Sequence, residues 1–178
     1  MKSITIQLLL ILIFPFAVNS QTIKLHSSAG YINTKDSVRL FYRFTGEGKD
    51  TIVVFHGGGF GSAYLVPDLT PLAAHHTLLF FDQPGTGFSS VVSDTARLNI
   101  NQFVQDVEIL RNHFGMDKIK VLAHSNGGLM VGYYATIHPG KIESMILINP
   151  SAASQKWQNS NRVDSISRLV LTQNNKIY

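Results

Sequence analysis

Four short apolar runs alternate with stretches of helical spacing along residues 51–148, and turn residues close nearly every one of them. The runs cover 51–55, 77–81, 119–123 and 143–148, and they are rich in Val, Ile, Leu and Phe. Strands that are apolar along their whole length are covered on both faces, as in a parallel sheet. Between them, Ile100, Phe103, Val104, Val107, Ile109 and Leu110 recur at helical spacing, and 67–75 and 127–137 read as two further helices. Ahead of the first run, 31–46 alternates polar and apolar residues around Asp36 and Ser37, the pattern of a hairpin with half-buried strands. The expected fold is α/β: a mostly parallel sheet with helices on both faces, carrying its chemistry in loops at the carboxyl ends of the strands.

Composition narrows the function classes. Hydrophobic residues make up 44% and charged residues 15% of the 178, which predicts a packed core. Fifteen basic residues face 11 acidic ones, but no basic run or aromatic-interleaved stripe exists, so nucleic acid is not an expected partner. With no cysteine, the chain has no disulfides, thiol catalysis or thiolate zinc sites. Neither a metal nor an organic cofactor is implied.

Residues 1–20 read as a signal peptide. Lys2 precedes the apolar run 8–18, and Val18 and Ser20 occupy the small or neutral positions before a cut at Gln21. Eleven residues are short of the roughly 20 that a membrane span needs. The expected location is secreted or periplasmic, without stable membrane insertion after cleavage. The expected domains are this leader, a core over 21–150, and an incomplete cap segment over 151–178, where the texture turns polar.

The sharpest chemical signal is Ala123-His124-Ser125-Asn126-Gly127-Gly128 at the end of the third run. A serine at a tight strand-to-helix turn, with small residues two positions away on both sides, can hold its hydroxyl exposed in strained geometry. The general pattern is Gly-x-Ser-x-Gly; Ala123 fills the first glycine position at the cost of one Cβ. The bland alternative is a serine that caps the following helix. Upstream, His56-Gly57-Gly58-Gly59-Phe60 follows the first run, where glycines leave backbone N–H groups free to face a developing oxyanion. Asp82-Gln83-Pro84-Gly85-Thr86-Gly87-Phe88-Ser89 follows the second and reads as a structural turn. Neither glycine run completes Gly-x-Gly-x-x-Gly, because Ser62 and Ser90 stand at the third glycine, and no phosphate-binding Gly-Lys-Ser/Thr is present.

These motifs, in this order, resemble the α/β-hydrolase superfamily over the chain up to Pro150. Within it the chain is similar to the branch of prolyl iminopeptidases and C–C-bond hydrolases, for which the Asp-Gln-Pro-Gly-x-Gly-x-Ser turn is typical. Esterases related to hormone-sensitive lipase share His-Gly-Gly-Gly but lack that turn. Epoxide hydrolases and haloalkane dehalogenases place Asp where this chain has Ser125.

The resemblance implies that Ser125 attacks a carbonyl and forms an acyl-enzyme, with the N–H groups of Asn126 and of Gly58 (or a neighbouring glycine) as the oxyanion hole. His56, Gly57, Gly59 and Asp82 would support that loop. It also implies a catalytic acid and then a histidine later in the chain, after strands expected beyond Tyr178. His138, the one histidine after Ser125, sits about twelve residues along a helix, close to 20 Å away at ~1.5 Å per residue. His124 is expected to point to the opposite side of the turn from Ser125. His75, His76 and His113 read as surface or helix-end residues, and Asp164 lacks a motif context. The expected substrate is a small ester or amide, including peptides with a free N-terminus. A non-catalytic binding module and an inactive truncated product stay open as alternatives. A bare edge at 143–148 predicts poor solubility for the isolated chain.

Overall fold

The computed structural model describes residues 25–151 except residue 35. The leader at 1–20 and nearly all of the expected cap segment lie outside the described residues. Two antiparallel strands, β1 (Ser27–Asn33) and β2 (Arg39–Thr45), are followed by β3 (Thr51–Phe55) and β4 (Thr77–Phe81). Helix α1 (Val66–Leu69) lies between β3 and β4. Helix α2 (Ile100–His113) leads to β5 (Ile119–His124), and α3 (Asn126–Ile137) leads to β6 (Ile142–Ile148). The sheet order is β1-β2-β4-β3-β5-β6, with β4, β3, β5 and β6 parallel. The α/β expectation and its hairpin hold.

Alternation along the strands divides the core in two. Val53, Phe55, Leu79, Phe81, Val121 and Ala123 face α2 and α3, meeting Phe103, Val107, Leu110, Val131 and Tyr134. Their neighbours Val54, Leu78, Phe80 and Leu122 face the other way, onto Leu65, Leu69 and Ala73. Each central strand therefore buries both faces, which is why its sequence is apolar throughout.

The helix expected over 67–75 is a correction. Only Val66–Leu69 is α-helical, and 3-10 turns flank it at Ala63–Leu65 and Thr70–Ala74. Pro71 lacks the N–H that would continue the α-helical ladder, so the chain tightens into 3-10 geometry. The segment still buries Leu65, Leu69 and Ala73.

Two ion-pair groups fasten α2. Arg97 reaches the hairpin turn at Asp36 (2.5 Å) and the buried Asp106 of α2 (2.9 Å). Arg111 pairs with Glu108 at 2.8 Å, and Glu108 also accepts the hydroxyl of the fully buried Tyr134 from α3 at 2.5 Å. At the sheet edge, β6 pairs with β5 on one side, and Ile146 remains 57% exposed.

Candidate active site

Three loops converge at the carboxyl ends of β3, β4 and β5. Ser125 directly follows β5 with φ 53° and ψ −123°, a corner of backbone space that non-glycine residues rarely occupy. Both of its main-chain polar groups are pinned. Its N–H donates to Ile148 O at 3.0 Å, and its carbonyl accepts the N–H groups of Gly128 and Ser151, each at 3.0 Å. Those bonds hold the strained turn. Ser125 occupies the N-cap position of α3, yet its side chain makes no capping hydrogen bond. The helix-cap alternative therefore gets no support from the geometry.

The small neighbours have steric reasons. A Cβ on Gly127 would sit 2.5 Å from His56 O and 2.8 Å from Phe55 O, so β3 passes too close for any side chain. Ala123 is fully buried between Phe55 of β3 and Leu147 of β6, and its single methyl fits.

His56 is fully buried at the end of β3. Its Nε2 accepts the backbone N–H of Gln83 at 3.1 Å, which leaves the ring proton on Nδ1 to donate to Gly57 O at 2.6 Å. Burial lowers its pKa below the ordinary histidine range. The imidazole is thus a neutral brace between the two glycine loops, with both nitrogens occupied. Asp82 is the second brace. One carboxylate oxygen accepts the N–H and hydroxyl of Ser62, each at 2.6 Å, and the other accepts Phe88 N–H at 2.8 Å. Gly61 and Gly87 cross in front of it: a Cβ on Gly61 would lie 2.7 Å from Gly87 Cα, and one on Gly87 would collide with Asp82 Oδ2.

Gly57 lies beside Ser125, and Gly58 and Gly59 continue the loop from it. A Cβ on Gly57 would meet Ser125 Cβ at 3.0 Å, whereas one on Gly58 or Gly59 would meet nothing within 4 Å. Gly57 N–H donates to the Tyr64 hydroxyl at 2.8 Å, and Tyr64 Oη lies 2.8 Å from His124 Nδ1. Asn126 opens α3, so its N–H has no carbonyl to bond within the helix.

His124 differs from expectation. Strand alternation predicts that it points away from Ser125, but the positive φ at Ser125 breaks the alternation, and both side chains border Gly57. Its Nδ1 is engaged by Tyr64. His138 caps the far end of α3, its N–H bonded to Tyr134 O. Among the described residues, no histidine hydrogen-bonds the Ser125 hydroxyl, and no group of three His, Asp or Glu side chains could hold a metal. A groove of about 530 Å³ lies along α2, lined by Glu108, Ile109 and His138 among others, and shares no residue with these loops.

The turn motif contains Gln83 and Ser89 without showing what they hold, and nothing in the motifs assigns a role to Ser62 or Tyr64. Ser89 donates its hydroxyl to Asp82 O at 2.6 Å and accepts Phe41 N–H at 2.8 Å, anchoring the second loop to β2. For Tyr64, the available signal was an aromatic hydroxyl in an otherwise apolar segment, which needs a partner when covered.

The family model for the alpha/beta hydrolase fold matches residues 51–170. The chain belongs to the α/β-hydrolase family. It is 28% identical over 130 residues to a proline iminopeptidase from Heyndrickxia coagulans, covering 72% of this chain and 45% of that protein. It is 30% identical over 134 residues to the proline iminopeptidase of Clostridioides difficile strain 630, with the same coverage. Among solved structures, a proline iminopeptidase-related protein from Thermus thermophilus superposes with a TM-score of 0.64 at 26% identity, covering 70% of this chain and 45% of that one. This chain thus spans about half the length of the curated relatives it matches. Among the described residues of this α/β-hydrolase, no helix is long and apolar enough to cross a membrane.

Proposed function

We propose that the protein is an exported serine hydrolase that cleaves small ester or amide substrates, peptides with a free N-terminus included, through an acyl-enzyme at Ser125. The observation that carries this reading is the backbone of Ser125. A strained φ/ψ pair costs about 1–3 kcal/mol and persists where function uses it. Here it presents an uncapped hydroxyl beside a glycine loop bordering open space.

In this mechanism the Ser125 oxygen bonds to the substrate carbonyl carbon while its proton passes to a base. The carbonyl oxygen becomes an oxyanion stabilised by the N–H groups of Gly58 and Asn126. Collapse expels the alcohol or amine, which takes up that proton, and water then hydrolyses the acyl-enzyme. The base and its orienting acid come from outside the described residues, in the order serine, acid, histidine. The peptide substrate class is supported by the proline iminopeptidase names of the relatives.

Covalent labelling by a fluorophosphonate tests the proposal on the full-length protein. Labelling of the wild type that is lost in Ser125→Ala supports it. A folded wild type that does not react overturns it in favour of a binding module.

A further inference from the structure

Tyr64 and His124 are 60 positions apart in sequence and meet beside Ser125. Gly57 N–H can only donate, so the Tyr64 oxygen is its acceptor at 2.8 Å. The phenol's own proton is then free to go to His124 Nδ1, also at 2.8 Å, and in that arrangement the His124 proton sits on Nε2. A Cβ on Gly57 would lie 3.0 Å from both Ser125 Cβ and the Tyr64 hydroxyl, and 3.4 Å from His124 Nδ1. The relay therefore runs along the wall of the site.

We propose that Tyr64 and His124 are positioning residues for the oxyanion hole, fixing the two peptide planes that precede Gly58 and so aiming its N–H at the reacting oxygen. The inference rests on the reading of Ser125 as the nucleophile. Three consecutive glycines have little intrinsic preference for one backbone conformation, so each peptide plane needs an external hold. The plane between His56 and Gly57 is held through its N–H by Tyr64. The plane between Gly57 and Gly58 is held through its carbonyl by His56 Nδ1 at 2.6 Å. In a trans peptide, the N–H points opposite to the carbonyl, so that second hold directs Gly58 N–H away from His56. The same plane's carbonyl, His56 O, accepts the Gln83 side-chain amide at a longer 3.3 Å, so loss of the Tyr64 anchor leaves only that weaker hold against a rotation that would drag the second plane. His124 keeps the phenol in place by accepting its proton.

The test uses the full-length protein with Tyr64→Phe, His124→Leu and His124→Gln, each checked for an unchanged melting temperature. Tyr64→Phe and His124→Leu should each slow fluorophosphonate labelling roughly 10- to 100-fold and lower kcat on a small ester with KM unchanged. The double variant should be no slower than the worse single one. His124→Gln, whose amide oxygen can accept the phenol proton, should recover most of the rate. Labelling of Tyr64→Phe at the wild-type rate overturns the inference. A wild type that never labels sinks the nucleophile reading instead, and nitrogen NMR of the His124 imidazole then decides whether the relay exists. A neutral ring protonated on Nε2 in the wild type, and shifted in Tyr64→Phe, supports it; a ring protonated on Nδ1 overturns it.

Discussion

The Nε2 of His56 accepts the backbone N–H of Gln83 at 3.1 Å, joining the loop after β3 to the loop after β4 through one neutral imidazole. The same ring donates to Gly57 O, so His56 ties the glycine loop beside Ser125 to the sheet's carboxyl edge. Its replacement by Ala leaves a partly buried N–H and a buried carbonyl without that partner. We expect a loss of about 2–4 kcal/mol in urea unfolding.

The protonation of His56 gives a pH signature. Burial keeps its folded-state pKa below the ordinary value of 6.5, while the unfolded chain takes up the proton near 6.5. The unfolded state then binds more protons, so stability falls as pH drops below about 6.5. A second loss follows at lower pH. Arg97 and Arg111, through their hydrogen bonds, hold Asp36 and Glu108 at about 2. Their contribution is present above the ordinary values of 3.8 and 4.5 and disappears as pH falls toward 2. Melting temperatures across pH should show the first limb flattened in His56→Gln and the second limb intact.

Asp82 satisfies three donors from two loops while buried. In Asp82→Asn, one acceptor oxygen becomes an NH₂ group that must face a donor. Stability should fall by about 2–4 kcal/mol, and Ser125 labelling should slow because both glycine loops lose their tie. Unfolding and labelling measured on one preparation check both effects.

Glycines at the site should separate by position. Gly127→Ala drives a methyl to 2.5 Å from His56 O and should cost at least about 2 kcal/mol. Gly58→Ala meets open space and should change stability by less than about 0.5 kcal/mol. Chemical denaturation of the two variants gives the comparison.

Ser125 stores strain that glycine would not. Ser125→Gly should stabilise the fold by about 1 kcal/mol while abolishing phosphonate labelling; Ser125→Ala should abolish labelling without that gain. A thermal melt of the two variants against wild type checks the difference.

The strands β3 to β6, helices α2 and α3, and the turn at Ser125 were legible because each is written in a local code. Apolar runs mark the strands, a spacing of three and four marks α2, and small residues around Ser125 mark a tight turn. The segment after β3 was misread as one helix because its apolar spacing suits a helix while Pro71 forbids the hydrogen bond. The braces were less legible. His56 and Asp82 stand out only as members of glycine-rich motifs; Gln83 and Phe88 lie in the same turn motif and Ser62 outside it, and no local pattern says which of them each brace binds.

By itself, the sequence determined the order of elements, the two-faced burial of the central strands and the place of Ser125 at a strand-to-helix turn. All of these follow from backbone sterics and hydrophobic periodicity within a few residues. Only the tertiary structure decided that β4 lies between β2 and β3, that His124 shares Gly57 with Ser125, and that Tyr64 holds the Gly57 N–H. Those relations depend on which distant donors and acceptors the packed sheet brings within hydrogen-bond reach. Periodicity along the chain carries no record of that.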